Sequence, residues 1–118
     1  MTTRRSIRYV FIAGPYTTGD PAVNVQLAVR AADALLAAGL LPYVPHLTHL
    51  WHLISPKPYR TWIDLDAAWL TRCDALLRLP GESPGADGEE AKAAEMGLPV
   101  FYSIEALLKA ADGCEAKR

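Results

Sequence analysis

A three-layer α/β domain built on a parallel sheet of about four to five strands is predicted by three features of the sequence. Short apolar runs rich in β-branched and aromatic residues alternate with stretches of helical period, and glycine or proline stands at the joints between them. The 51% hydrophobic content of 118 residues, with no long polar tract, suits one compact domain over residues 1–118 with a sizeable core.

Taken in order, Ile7-Arg8-Tyr9-Val10-Phe11-Ile12-Ala13 reads as a first central strand that stops at Gly14-Pro15, with Tyr16 just beyond its carboxyl end. Asp20 is an N-cap, Pro21 the first helical residue and Gly39 the stop of a long helix. Val23, Leu27, Ala31, Ala34, Leu35 and Ala38 form its apolar side, and Asn24 sits at the stripe's edge, placed for a loop contact or for a ligand. Residues 40–44 return as a second strand, with Pro42 marking an edge because proline cannot donate to a ladder. A right-handed crossover makes these two strands parallel neighbours.

The stretch 45–53 carries His46, His49 and His52 at three-residue spacing, which invites a metal reading. Leucines share that period, no carboxylate or cysteine accompanies the histidines, and zinc patterns space their ligands otherwise, so no metal is expected. His46, immediately past the strand end, is the histidine placed near a ligand. Residues 55–58 break the chain, and 59–72 form the next helix. On it Asp66 falls among Tyr59, Trp62, Leu65, Trp69 and Cys73, whereas Asp64 points almost opposite, toward solvent. A carboxylate on an apolar face needs a hydrogen-bond partner or a raised pKa.

Residues 74–79 form a buried strand, and the chain then runs through Gly81, Gly85 and Gly88 into a helix over 89–96. In a parallel α/β sheet ligands collect beyond the carboxyl ends of the strands, where N–H groups at helix starts hold anions. Ser83, Gly85, Ala86 and Glu89 lie at such a place. Asp87-Gly88-Glu89-Glu90 also fits a simple cap with acids complementing the helix dipole. Glu89, however, shares a face with Ala93 and Met96 and leans toward the body of the protein, while Glu90 lies further round, toward solvent. Residues 97–102 give a further strand, Ser103 caps a last helix over 104–111, Asp112-Gly113 ends it, and 114–118 form a frayed tail. With strand order 2-1-3-4 the whole is flavodoxin- or Rossmann-like.

Twelve Lys and Arg against thirteen Asp and Glu give no basic field for nucleic acid. The basic start, Arg4-Arg5 and Arg8, precedes an apolar run too short for a signal peptide or a membrane span, so a cytoplasmic protein is expected. Cys73 and Cys114 show no metal or redox spacing, and Cys73 reads as a core residue. Small-molecule chemistry remains.

Ile12-Ala13-Gly14-Pro15-Tyr16 after the first strand, Asp66-Ala67-Ala68-Trp69-Leu70 leading to Cys73-Asp74, and Ser83-Pro84-Gly85-Ala86-Asp87-Gly88-Glu89 followed by Ala93 occur in an order and spacing that resemble the nucleoside 2-deoxyribosyltransferase superfamily, which includes the deoxynucleoside 5′-monophosphate N-glycosidases. The resemblance covers most of the chain. It implies that Glu89 is the nucleophile and that an aspartate on the preceding helix assists the leaving base. Asp66 matches the hydrolase-like register and Asp64 the transferase-like one, and the helical face favours Asp66. The family's tyrosine hydroxyl often lies in the first strand, where this chain has Phe11; Tyr16 is then the candidate. Gly88 stands where an aromatic is common, and Glu90-Ala91 replaces an aliphatic residue and glycine. Ser83 matches a phosphate-contacting serine, and Gly14, Pro15, Asn24, His46, Gly85 and Ala86 complete the expected substrate contacts.

The resemblance thus implies cleavage of the N-glycosidic bond of a nucleoside or nucleotide, preferably a 5′-monophosphate, through a glycosyl-Glu89 intermediate passed to water or to a second base. No cofactor is expected, and a homodimer whose neighbour helps close the site is. The rival expectations are a nucleotide-binding module without turnover, suggested by Gly88 and Glu90, and an α/β domain whose partner is another protein.

Overall fold

The computed structural model describes residues 6–115. The basic pair Arg4-Arg5 and the end of the expected tail, residues 116–118, lie outside the described residues. The chain forms β1 (Tyr9–Ala13), α1 (Pro21–Ala37), β2 (Leu41–Tyr43), a short 3-10 turn (Pro45–Leu47), α2 (Thr48–Ile54), α3 (Tyr59–Leu70), β3 (Ala75–Arg78), α4 (Pro84–Glu95), β4 (Val100–Phe101) and α5 (Ile104–Glu115). The sheet has four parallel strands in the order β2-β1-β3-β4. Pro42 does lie on an edge strand. No helix among the described residues is long and apolar enough to cross a membrane.

Side-chain alternation along the two central strands builds two cores. Val10 and Ile12 of β1 and Ala75 and Leu77 of β3 face α1 and α5, meeting Ala28, Ala31, Leu35, Leu107 and Ala111. Phe11, Ala13 and Leu76 face the other way, against Leu70, Cys73, Ala86, Ala93 and Leu98. Cys73 is a buried free thiol, as its position in an apolar run suggests. Asp74 ties the two strand starts together, accepting the N–H groups of Arg8 and Tyr9 at 3.0 Å each.

The stretch 45–53 makes the 3-10 turn and α2, and α2 buries none of its residues. Two boundaries differ from expectation. The glycine-rich joint is mostly helix, because Ser83 caps α4 and Pro84 occupies its first turn, five residues before Glu89. Gly85 and Gly88 therefore sit inside α4, where a Cβ would meet open space. Gly81 is the residue that must be glycine: its φ is +115° and a Cβ would come within 2.8 Å of Pro15. Finally α5 runs through Asp112-Gly113 to Glu115, since a single helical glycine costs only about 1 kcal/mol.

Candidate active site

The carboxyl ends of β1 and β3 approach closely where they open onto the α3–α4 face. A Cβ on Gly14 would lie 2.9 Å from that of Leu79, so the β1 end can pack there only as glycine. Above this junction, between the 3-10 turn, α2, α3 and the start of α4, lies a pocket of about 620 Å³. Gly14, Tyr16, His46, Asp66, Ser83, Gly85, Ala86 and Glu89 all line it, so eight of the ten expected site residues converge there. Pro15 and Asn24 do not. They line a smaller, mainly apolar groove of about 300 Å³ on the α1–α5 side.

Glu89 reaches the pocket because α4 buries Ala86 and Ala93, three residues before and four after it, against the sheet. Half-buried Glu89 has its carboxyl pushed up to about 8, first by loss of solvent and then by the negative charge of Asp66; the positive charge of Arg78 pulls the other way. Glu90 corrects its expected solvation. It is partly covered, lies 3.5 Å from the Arg78 guanidinium and accepts the Tyr102 hydroxyl at 2.6 Å.

Asp66 enters from α3, where Trp62 and Leu70 are the residues buried in the core. Burial pushes its carboxyl up to about 6, against the downward pull of a hydrogen bond from Tyr43 Oη to Asp66 Oδ1 at 3.1 Å. Asp64 is exposed and pairs with Arg60 one turn earlier. Tyr43 is the residue that sequence reasoning missed. It lies opposite Phe11 in the β1–β2 register, with ring centroids 5.5 Å apart, and stacks on Trp69 at the same separation. Burial and the two acids raise its hydroxyl far above the usual tyrosine range, so it stays a donor. Tyr16 makes no hydrogen bond of this kind; its ring packs on His49 and, edge-on, on His46.

The remaining expected residues divide by what they touch. Ser83 Oγ accepts the Ala86 N–H at 3.1 Å, which makes it the α4 cap. Pro84 has no N–H and Asp87 N–H goes to the Ser83 carbonyl, so Gly85 supplies the remaining first-turn donor. Asn24 spends its amide on the carbonyls of Tyr16, at 2.9 Å, and Thr18, at 2.8 Å, and so braces the loop after β1 rather than entering the pocket. His46 is buried, with Nε2 donating to the Pro15 carbonyl at 3.1 Å; its Nδ1 has no protein partner, and burial lowers its pKa. His52 is fixed differently. Its Nδ1 accepts both Trp62 Nε1–H at 2.9 Å and Lys57 N–H at 3.2 Å, so the ring proton sits on Nε2. The three histidines thus serve separate contacts, and among the described residues no group of three or more His, Cys, Asp or Glu is arranged to hold a metal ion.

Two half-buried carboxyls face one pocket, each raised by burial and Glu89 also by its neighbour's charge, with a hydroxyl between strand and helix that donates to one of them. Such a pair shares protons, and near neutral pH it holds about one. It can offer an anionic nucleophile and a proton donor at once. Residues 8–103 match a family described as Domain of unknown function (DUF7768). Comparison with curated proteins gives no match.

Proposed function

We propose, for a chain that belongs to the DUF7768 family and takes no activity from that description, an N-glycosidase acting on deoxynucleoside 5′-monophosphates, with release to water or to an acceptor base. The observation that carries this reading is the convergence of Glu89 and Asp66 on one pocket with Tyr43 bonded to Asp66. Cleavage of an N-glycosidic bond passes through an oxocarbenium-like state, which suits a carboxylate beneath C1′ and an acid at the leaving base. Glu89 attacks C1′ as the C1′–N bond breaks, and Asp66 delivers its proton to the departing base. Water then adds at C1′, Asp66 takes the water's proton, and Glu89 leaves as carboxylate. The productive form is the singly protonated pair with the proton on Asp66, the less populated placement because Glu89 is the weaker acid of the two. Tyr43, donating to Asp66, holds that carboxyl in place, and Gly85 N–H at the start of α4 faces the 5′-phosphate.

The reading includes a second copy of the chain. Leu50, Leu53 and Ile54 on α2 are 62%, 62% and 86% exposed, and Lys57 is the one charged residue between Leu40 and Tyr59. Because α2 also lines the pocket, a homodimer through this face closes the site without juxtaposing like charges. A monomeric mass by light scattering at micromolar concentration, with full activity, would refute the shared site. The cytoplasm, where nucleotides are made and consumed, is the setting this reading assigns.

The test is a panel of nucleosides and 5′-monophosphates incubated with the protein and analysed for free base by chromatography. Base release that disappears in Glu89→Ala supports the enzyme. Ligand-dependent melting without base release, at high protein and long times, makes the pocket a binding module instead. No ligand effect on melting at all removes both.

A further inference from the structure

Arg78 ends β3 and is 8% exposed, an unusual place for a guanidinium. Nothing about the pocket lining requires it there. Its guanidinium has four partners. Nη1 bonds the Leu79 carbonyl, Nη2 bonds the Gly81 carbonyl at 3.0 Å and Asp87 Oδ1 at 2.9 Å, and Nε lies 3.5 Å from Glu90 Oε1. The first two contacts hold the turn whose glycine packs on Pro15. The other two grip α4 at the residues two before and one after Glu89. Tyr102, just past β4, extends the grip by donating to Glu90. The fork therefore fixes both the axial position and the rotation of the turn that carries Glu89.

We propose that Arg78 is a positioning residue that orients Glu89 through Asp87 and Glu90 and favours its ionised form, opposing the burial and the neighbouring Asp66 that favour the protonated one. Asp66 faces Glu89 from α3, Tyr43 from β2 and Arg78 from β3; β1 offers only Phe11 and Ala13 on this side, and Asp87 and Glu90 on α4 are Arg78's own partners. Tyr16, His46, His49, His52, Lys57 and Tyr59 line the same pocket. Arg78 is the cation whose charge acts on Glu89. The inference rests on the two-carboxyl reading for its consequence in catalysis, but its physical content does not depend on turnover.

The experiment reads Glu89 directly. Its side-chain carboxyl is titrated by carbon-13 NMR in the wild type, in Arg78→Gln and in Arg78→Lys. Loss of the cation in Arg78→Gln should raise the Glu89 midpoint by about one unit, whereas Arg78→Lys should leave it close to the wild type. If the wild type releases base, the fraction of the pair with Glu89 ionised and Asp66 protonated falls in parallel, about a tenfold loss in kcat/KM at neutral pH in Arg78→Gln. Arg78→Lys, which keeps the charge but not the fork, should lower kcat without shifting the pH profile. If Arg78→Gln does not fold, Arg78→Gln with Asp87→Asn is read in its place, and the midpoint should still rise. An unmoved or lowered midpoint in the folded variant overturns the proposal even in an active enzyme. A raised midpoint in a protein that releases no base supports it and sinks only the glycosidase reading.

Discussion

The two faces of the sheet end in two depressions that share one strand end and differ in everything else. On the α1–α5 side, Leu27, Ala31, Leu79 and Ile104 line a groove whose charged member is the exposed Arg30 of α1, and whose polar amide, Asn24, is spent on loop carbonyls. On the α3–α4 side, one step of strand alternation away, carboxyls from two helices face each other across a wider pocket. Val10, Ile12, Ala75 and Leu77 toward one face and Phe11, Ala13 and Leu76 toward the other are apolar, so the carboxyls come from the helices, by which residue each presents once its alanines or aromatics have packed. If that is right, substitutions on the α3–α4 side change activity and its pH dependence, and those on the other side change stability alone.

The largest effect expected is from Glu89→Gln. Base release should fall by about 10⁴-fold, by loss of the covalent step. Stability should move in the opposite sense. Glu89 in the folded protein holds its proton up to about pH 8, against an ordinary value of 4.5, so the stability its protonation provides is complete below about pH 4.5 and is lost as pH rises through 8. Asp66 adds a smaller loss between its ordinary 3.8 and about 6. Wild-type stability should therefore decline from pH 5 to pH 8, by about 2 kcal/mol once the pocket's contact with water is allowed for. Glu89→Gln should flatten most of that decline. Melting curves across this range check it, and a wild-type melting temperature that rises toward pH 8 would contradict the charge assignment.

Asp66→Asn comes next, with a loss of roughly 10²–10⁴-fold that is greatest for poor leaving bases. Asp64→Asn should have little effect, as expected of a solvent-exposed partner of Arg60. A larger loss in Asp64→Asn would mean that the transferase-like register applies. Tyr43→Phe should cost about tenfold, the weight of one hydrogen bond to a charged group, and should raise the pH at which Asp66 ionises. On the other face, Asn24→Ala should lower stability by about 1 kcal/mol through the freed loop, with kcat/KM for base release unchanged at temperatures well below melting. Equal activity losses on the two faces would erase the contrast between them.

Much of this was legible in the sequence, because strand order, the edge position of Pro42 and the face of Asp66 depend on local period and on connection rules. What escaped depended on register and on helix starts. Tyr43 reaches the acids only because β1 and β2 pair with Phe11 opposite it, and pairing register is a property of two segments that neither shows alone. Three glycines suggested a loop where Ser83-Pro84 starts α4, since a cap and a proline at the first position outweigh glycines in solvent. Arg78 read as one residue of a strand over 74–79. Its grip on Asp87 and Glu90 follows from α4 beginning early enough to place both acids beside it.

The smallest effect expected is at Ser83, where cap and ligand contact compete for one hydroxyl. Ser83→Ala is a poor test: it removes the bond to Ala86 N–H and should cost about 1 kcal/mol in stability whether or not a phosphate binds. Ser83→Asp separates the two, because aspartate caps a helix as well as serine does while its charge opposes a second anion at the same N-terminus. If the 5′-phosphate sits against Gly85 N–H, Ser83→Asp should keep its melting temperature and lose about tenfold in kcat/KM for monophosphates relative to nucleosides. An unchanged ratio of the two substrates would show that the phosphate, if it is recognised at all, is held elsewhere in the pocket, and Lys57 at the α2–α3 joint would then be the cation to replace.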